Sequence, residues 1–151
     1  MRKCLSFLLC ALLLCGLASC AIAQTVSCPE AHITLTVPDS WEVVPLTEAD
    51  DPELCLLLDS KDLTLAVYVS DARGTVPDAF QVFTEDDTVS SDIVINGMEM
   101  TLVAGKTDDG EYRIYTWLDR RNQVEMYFLV TGKSRAAREV MDDVMEDLVF
   151  E

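Results

Sequence analysis

The stretch from residue 92 to residue 131 constrains this chain more than any other, because it reverses direction three times at short intervals. Residues 92–95 and 98–103 alternate on either side of Asn96-Gly97. Both residues of that dipeptide tolerate positive φ, which suits the two-residue turn whose twist matches that of paired strands. Asp108-Asp109-Gly110 then turns the chain into residues 111–119, and residues 120–123 turn it again into 124–131. Loops this short join only antiparallel strands, since a parallel crossover needs a dozen residues or more. The segment is therefore expected to be an antiparallel meander.

The flanking segments extend this plan. Ile33, Leu35 and Val37 alternate with Thr34 and Thr36, the period of a half-buried strand. Residues 24–31 before them read as a linker. Pro38-Asp39-Ser40 makes a turn, 41–44 resumes an extended path, and 45–53 is a polar, acidic loop. Residues 54–59 and 63–70 are expected to be strands joined by Ser60-Lys61-Asp62. Pro77 opens a short helix to about residue 85, with Ala79, Phe80 and Phe83 on its apolar side. After Gly132, Ser134 can cap a helix running to about residue 147, on which Val140, Val144 and Leu148 recur every four residues. Strands, a short helix, more strands and a closing helix predict an α+β domain, an antiparallel β-sheet with helices packed on its faces.

The first residues concern address rather than fold. Arg2 and Lys3 precede an uncharged apolar run over 4–17, and small residues follow, the order of a secretory signal peptide. The run is short for a membrane span. Ala21-Ile22-Ala23 offers signal peptidase an A-x-A site, giving a leader of 1–23 and a single domain of 24–151. Leu17-Ala18-Ser19-Cys20 resembles a bacterial lipobox, which would make the leader 1–19 and lipidate Cys20. Both cuts deliver the domain out of the cytoplasm and leave Cys28 and Cys55 as the two cysteines free to pair, Cys20 being removed or lipidated. In an oxidising compartment two such cysteines are expected to form a disulfide. Closing that loop would stabilise the fold by roughly 3 kcal/mol in the chain-entropy treatment.

Charge narrows the partners. Acidic residues outnumber basic ones 27 to 11, and loss of Arg2 and Lys3 with the leader leaves 9 against 27, a formal −18. Such a field repels phosphate backbones and anionic headgroups, so nucleic acid is not an expected partner. Membrane association is expected only through lipidated Cys20 or a retained leader.

No motif with catalytic spacing is present. His32 is the sole histidine, too few for a His-based zinc site and without a G-x-S-x-G elbow, a phosphate loop or a G-x-G-x-x-G to accompany it. Before Gly110, Gly105, Thr107 and Asp109 stand where an EF-hand needs oxygen ligands. The doublets Asp50-Asp51, Asp86-Asp87, Asp108-Asp109 and Asp142-Asp143 read as solvated turns or helix faces, with a discontinuous calcium site at Asp50, Asp51 and Glu53 left open. No cofactor is expected. Alternation suggests that Tyr68, Tyr115, Trp117 and Tyr127 share one sheet face, and Tyr115, Trp117 and Tyr127 are the first guess for a binding surface. The second guess is the closing helix, where Asp142, Asp143, Glu146 and Asp147 crowd the C-terminal half against the helix dipole.

The phrase Ile33-Thr34-Leu35-Thr36-Val37-Pro38-Asp39-Ser40-Trp41 resembles the strand and VP-x-x-W opening of the PsbP/Mog1-like families, and a helix followed by Asp147-Leu148-Val149-Phe150 is similar to how those chains end. The resemblance spans nearly the whole mature chain, but its motifs are short and structural. It implies an antiparallel sheet sandwiched by helices and transfers no catalytic residue, since members act chiefly as binding or assembly modules. The expected function is thus an exported, non-catalytic binding or accessory module of the bacterial cell envelope or extracellular space, for an unknown protein or small ligand. The alternatives are a small carboxylate-dependent extracellular hydrolase and a lipid-anchored accessory subunit.

Overall fold

The computed structural model describes residues 23–71, 88–107, 110–120, 124–132 and 135–150. Strand β1 (Ala23–Cys28) leads through a 3-10 turn (Pro29–Ala31) into β2 (Ile33–Pro38), and β3 (Glu42–Val43), β4 (Leu54–Asp59) and β5 (Leu63–Asp71) follow. The meander comprises β6 (Val89–Ile95), β7 (Met98–Thr107), β8 (Gly110–Asp119) and β9 (Val124–Gly132). Helix α1 (Arg135–Glu146) and a two-residue strand, β10 (Val149–Phe150), close the chain.

The strands form two antiparallel sheets. One has the order β1-β2-β10 and the other the order β3-β4-β5-β9-β8-β7-β6. In the larger sheet, the β3–β4–β5 and β6–β9 meanders are joined where β9 pairs with β5 from Leu63↔Gly132 to Asp71↔Val124. Asn96 and Gly97 have φ of 51° and 81°, the left-handed pair that their identities foretold.

The main core lies between the smaller sheet with α1 and one face of the larger sheet. Cys28, Ile33, Leu35 and Val37 from β1 and β2, and Val144, Met145 and Leu148 from the C-terminal part, pack on Leu58, Leu65, Val67, Met126, Phe128 and Val130. Trp41 of the VP-x-x-W phrase is buried here, its N–H donating to Pro38 O at 3.0 Å. Gln24 Nε2 donates to Trp41 O at 2.6 Å, so β1 is fastened to this turn as well as to β2. The opposite face of the larger sheet carries a second cluster of Ala66, Tyr68, Tyr112, Ile114 and Tyr127.

This architecture corrects the expected fold class. The described residues are nearly all antiparallel strand, with α1 as their one α-helix, and the layer over the main core is chiefly a second sheet rather than helices. The error traces to 24–31, taken for a linker. Thr25 and Ser27 are exposed while Val26 and Cys28 are buried, so even this polar stretch has the strand period. The helix expected from Pro77 to about residue 85 lies outside the described residues.

Helix α1 ends against the meander. It has no basic residue in its last turn to meet its terminal carbonyls. Asn96 supplies donors instead, its Nδ2 reaching Glu146 O at 2.7 Å and Leu148 O at 2.8 Å.

Candidate functional site

The structure divides the aromatic residues expected on one face. Tyr115 opposes Phe128 and Trp117 opposes Met126, so these two belong to the main core. Tyr127 opposes Thr116 on one side and Tyr68 on the other, on the second face with Tyr112 and Ile114. Tyr115 is only 2% exposed and Tyr127 only 4%. Trp117 is half-buried, its ring tilted against Phe150 with centroids 4.1 Å apart. The shared-face expectation fails because odd residues of β8 oppose even residues of β9, a register set by the intervening turn and invisible in either strand alone.

Two buried hydroxyls have carboxylate partners. Tyr127 OH donates to Glu125 Oε2 at 2.7 Å, and Ser70 Oγ donates to Glu53 Oε1 at 2.7 Å. Burial, followed by the Glu125 carboxylate, raises Tyr127 above the ordinary tyrosine range. Burial also raises Tyr115 and Tyr68. All three shifts favour the protonated hydroxyl. On the main-core side, Arg113 Nη1 donates to Tyr115 OH at 3.3 Å and pairs with Asp142 of α1. One carboxylate of the acidic helix is thus engaged within the fold, while Asp143, Glu146 and Asp147 remain exposed.

The acidic turn has a similar internal economy. Asp50 Oδ2 accepts from Thr47 N–H at 2.6 Å and Thr47 Oγ1 at 2.8 Å, contacts that hold its carboxyl below the usual range. Asp51 Oδ1 caps Glu53 N–H at 2.9 Å, and Glu53 faces Ser70. Among the described residues no three His, Cys, Asp or Glu side chains gather closely enough to hold a metal. Exposed His32 closes the 3-10 turn at φ 52°, its N–H donating to Pro29 O at 3.2 Å.

Cys28 and Cys55, from different sheets, bring their sulfurs to 2.9 Å. Both are thiols. Cys55 also donates to Val67 O at 3.2 Å. The hydrogen bond between the two sulfurs lowers Cys28, whereas the same bond, with burial, raises Cys55. Cys20 lies outside the described residues.

Among the described residues, two hollows lie along the β6–β7–β8 rim. A groove of about 480 Å³ is lined by Val89, Gly105, Lys106, Glu111, Tyr112 and Arg113. Tyr112 lies directly across from Gly105, with its ring where a β-carbon would stand: Cζ and Cε1 would be 2.6 and 2.8 Å from it. A second hollow of about 390 Å³ lies further along the rim beside Asp92, Val94, Glu99 and Thr101. Lys106 and Glu111 face each other at 3.7 Å, so the first groove offers both charges beside an aromatic wall. Sequence reasoning did not find this groove. Its one legible signal was Gly105 inside a strand pattern, a mark of close approach by a neighbouring group.

No family model and no curated protein matches the sequence. Solved structures do match in shape. Cyanobacterial PsbP from Synechocystis superposes with a TM-score of 0.64 over 91% of this chain and 97% of its own, at 14% identity. A Bacteroides thetaiotaomicron structure gives 0.50 over 80% of this chain and 45% of its own, at 11% identity. A Pseudomonas aeruginosa protein of unknown function gives 0.39 over 85% and 97%, at 16% identity. The first of these shows that the chain has a PsbP-like fold.

Proposed function

We propose that this chain is an exported, non-catalytic binding or accessory module of the bacterial cell envelope or extracellular space, and that it engages a partner protein along the β6–β7–β8 rim. The observation that carries the reading is the open groove beside β6, where Val89 is 68% exposed. An open groove with mixed charge and an aromatic wall suits a protein segment better than an enclosed small molecule. The catalytic alternative has less support. Asp50, Asp51, Glu53, Glu125 and Asp142 bond to turn amides, hydroxyls or Arg113, Glu111 pairs with Lys106, and Asp92 and Glu99, which share the second hollow, are both exposed.

Export rests on the leader: Arg2 and Lys3, the apolar run and Ala21-Ile22-Ala23. Cleavage after Ala23 is favoured over lipidation because only two residues separate Cys20 from β1, a very short tether for a lipid-anchored domain.

Site-specific photo-crosslinking tests the reading. A crosslinking residue at Val89 is expected to capture a discrete partner when the full chain is exported. The same residue at Val43, half exposed on β3 at the other edge of the sheet, is expected to capture none. Equal capture at both positions, or none at Val89, would overturn the assignment.

A further inference from the structure

The rim leaves Cys28 and Cys55 without a part in binding, yet the fold brings them together with care. We propose that they form a redox-active pair which, when oxidised, clasps the three-stranded sheet to the seven-stranded sheet. Cys28 ends β1, at the edge of the smaller sheet, while Cys55 lies on β4 of the larger one. Between them the chain forms β2 and β3, so a bond here ties the first described strand to a sheet with which it shares no backbone ladder. Their sulfurs are 2.9 Å apart, and a bond closes with little movement of either strand.

A local irregularity in β4 accounts for the placement. Leu54 opposes Tyr68, but Leu56 already opposes Val67, leaving Cys55 as the extra residue of a β-bulge. Without that shift, Leu56 would face Ala66 and leave the main core. With it, Cys55 and Leu56 both serve the core face. The bulge therefore adds a sulfur to this face while the aliphatic contact is kept. Cys28 is 1% exposed and Cys55 is half-buried, so the bond is shielded without being sealed. The lowered pKa of Cys28 favours loss of its proton.

The oxidation balances with a co-reactant of the thiol oxidoreductase class. Both S–H bonds break and one S–S bond forms. Two electrons and two protons pass to an external disulfide, which departs as two thiols. Because β4 and the rim lie on opposite sides of β5, reduction is expected to loosen β1 and leave capture at Val89 intact.

The natively exported protein supplies the test. Its intact mass is expected to be lower by two hydrogens than that of the reduced chain, with a non-reduced peptide joining Cys28 to Cys55. Reductant is expected to lower Tm by about 10 °C and to speed amide exchange in 25–28 but not in 110–119. A Cys28→Ser, Cys55→Ser variant should show that lower Tm with or without reductant. Free thiols on the exported protein, or a Tm that ignores reductant, would overturn the proposal. So would uniform acceleration of exchange across both sheets.

Discussion

Asn96 performs two tasks that substitution can separate. Its backbone sits at φ 51° in the tight turn between β6 and β7, and its side-chain amide donates to Glu146 O and Leu148 O. Each hydrogen bond contributes a net of about 0.5–1.5 kcal/mol, and the bond to Glu146 is exposed, so the two together are worth about 1–2 kcal/mol. The left-handed backbone adds about 1 kcal/mol against any residue with an ordinary β-carbon. Asn96→Gly removes the amide but keeps the turn, and is expected to cost about 1–2 kcal/mol. Asn96→Ala removes the amide and strains the turn, for a total of about 2–3 kcal/mol. Urea unfolding of the three proteins gives the ordering, and amide exchange locates it. Both variants should expose the last turn of α1 and the β10 pairing to Ile33 and Thr34, because the lost donors hold the carbonyls just before Val149. A glycine variant as stable as the wild type would show that the helix end draws nothing from this amide. A glycine variant less stable than the alanine one would refute the division into turn and cap.

Two further outcomes follow from buried groups. Gly105→Ala should lower stability by about 1–3 kcal/mol, as overpacking does. The new methyl must displace the Tyr112 ring, and thermal unfolding with near-ultraviolet dichroism would register both the loss and the moved tyrosine. An unchanged spectrum and Tm would mean that the ring does not cover this glycine. Tyr127→Phe tests the alkaline limit: Tyr127 is raised by burial and Glu125, so the unfolded chain ionises it first. The stability it supplies is whole below the ordinary tyrosine value near 10 and declines as pH rises beyond it. The phenylalanine variant should therefore lose less stability than the wild type between neutral pH and pH above about 10, as measured by denaturant midpoints. Parallel losses in both proteins would show that Tyr127 is not a source of the pH dependence.

The meander was legible because its information is local. Asn96-Gly97 names its own turn, and the strands around it alternate plainly; the structure extends them to Val89 and Thr107 without altering their pairing. The closing helix was legible from Val140, Val144 and Leu148, but the pairing of Asp142 with Arg113, 29 residues away in sequence, was not. What could not be read was long-range. No feature of β8 or β9 alone says that Tyr115 and Tyr127 face opposite ways. The pairing of β1 with β2 was hidden because Thr25 and Ser27 look like linker residues until Val26 and Cys28 are seen to share a core. The groove was less legible still, since Val89, Gly105 and Tyr112 meet only through two strand registers.

The distribution of burial across the seven-stranded sheet bears on where a partner can reach. Antiparallel strands usually alternate between a buried and a wet face, yet β5 and β9 run nearly continuously apolar, as strands covered on both sides do. In β9, Met126, Tyr127, Phe128 and Val130 are all at most 4% exposed, and in β5 the run from Leu65 to Tyr68 is buried throughout. Burial on both sides persists in part of β8, through Tyr112, Ile114 and Tyr115, and fades in β7, where Met100 is the one buried residue among those described. By β6 no residue is fully buried, and its apolar side chains either lean on the core, as Ile93 and Ile95 do, or face outward, as Val89 and Val94 do. Substitutions in the centre of the sheet must therefore act through stability, whichever face they touch. Substitutions at Val89 and Val94 cost the fold little, so an effect there on partner capture would report the surface itself. This asymmetry makes the β6 rim, rather than the buried tyrosines, the place where recognition can change without unfolding the protein.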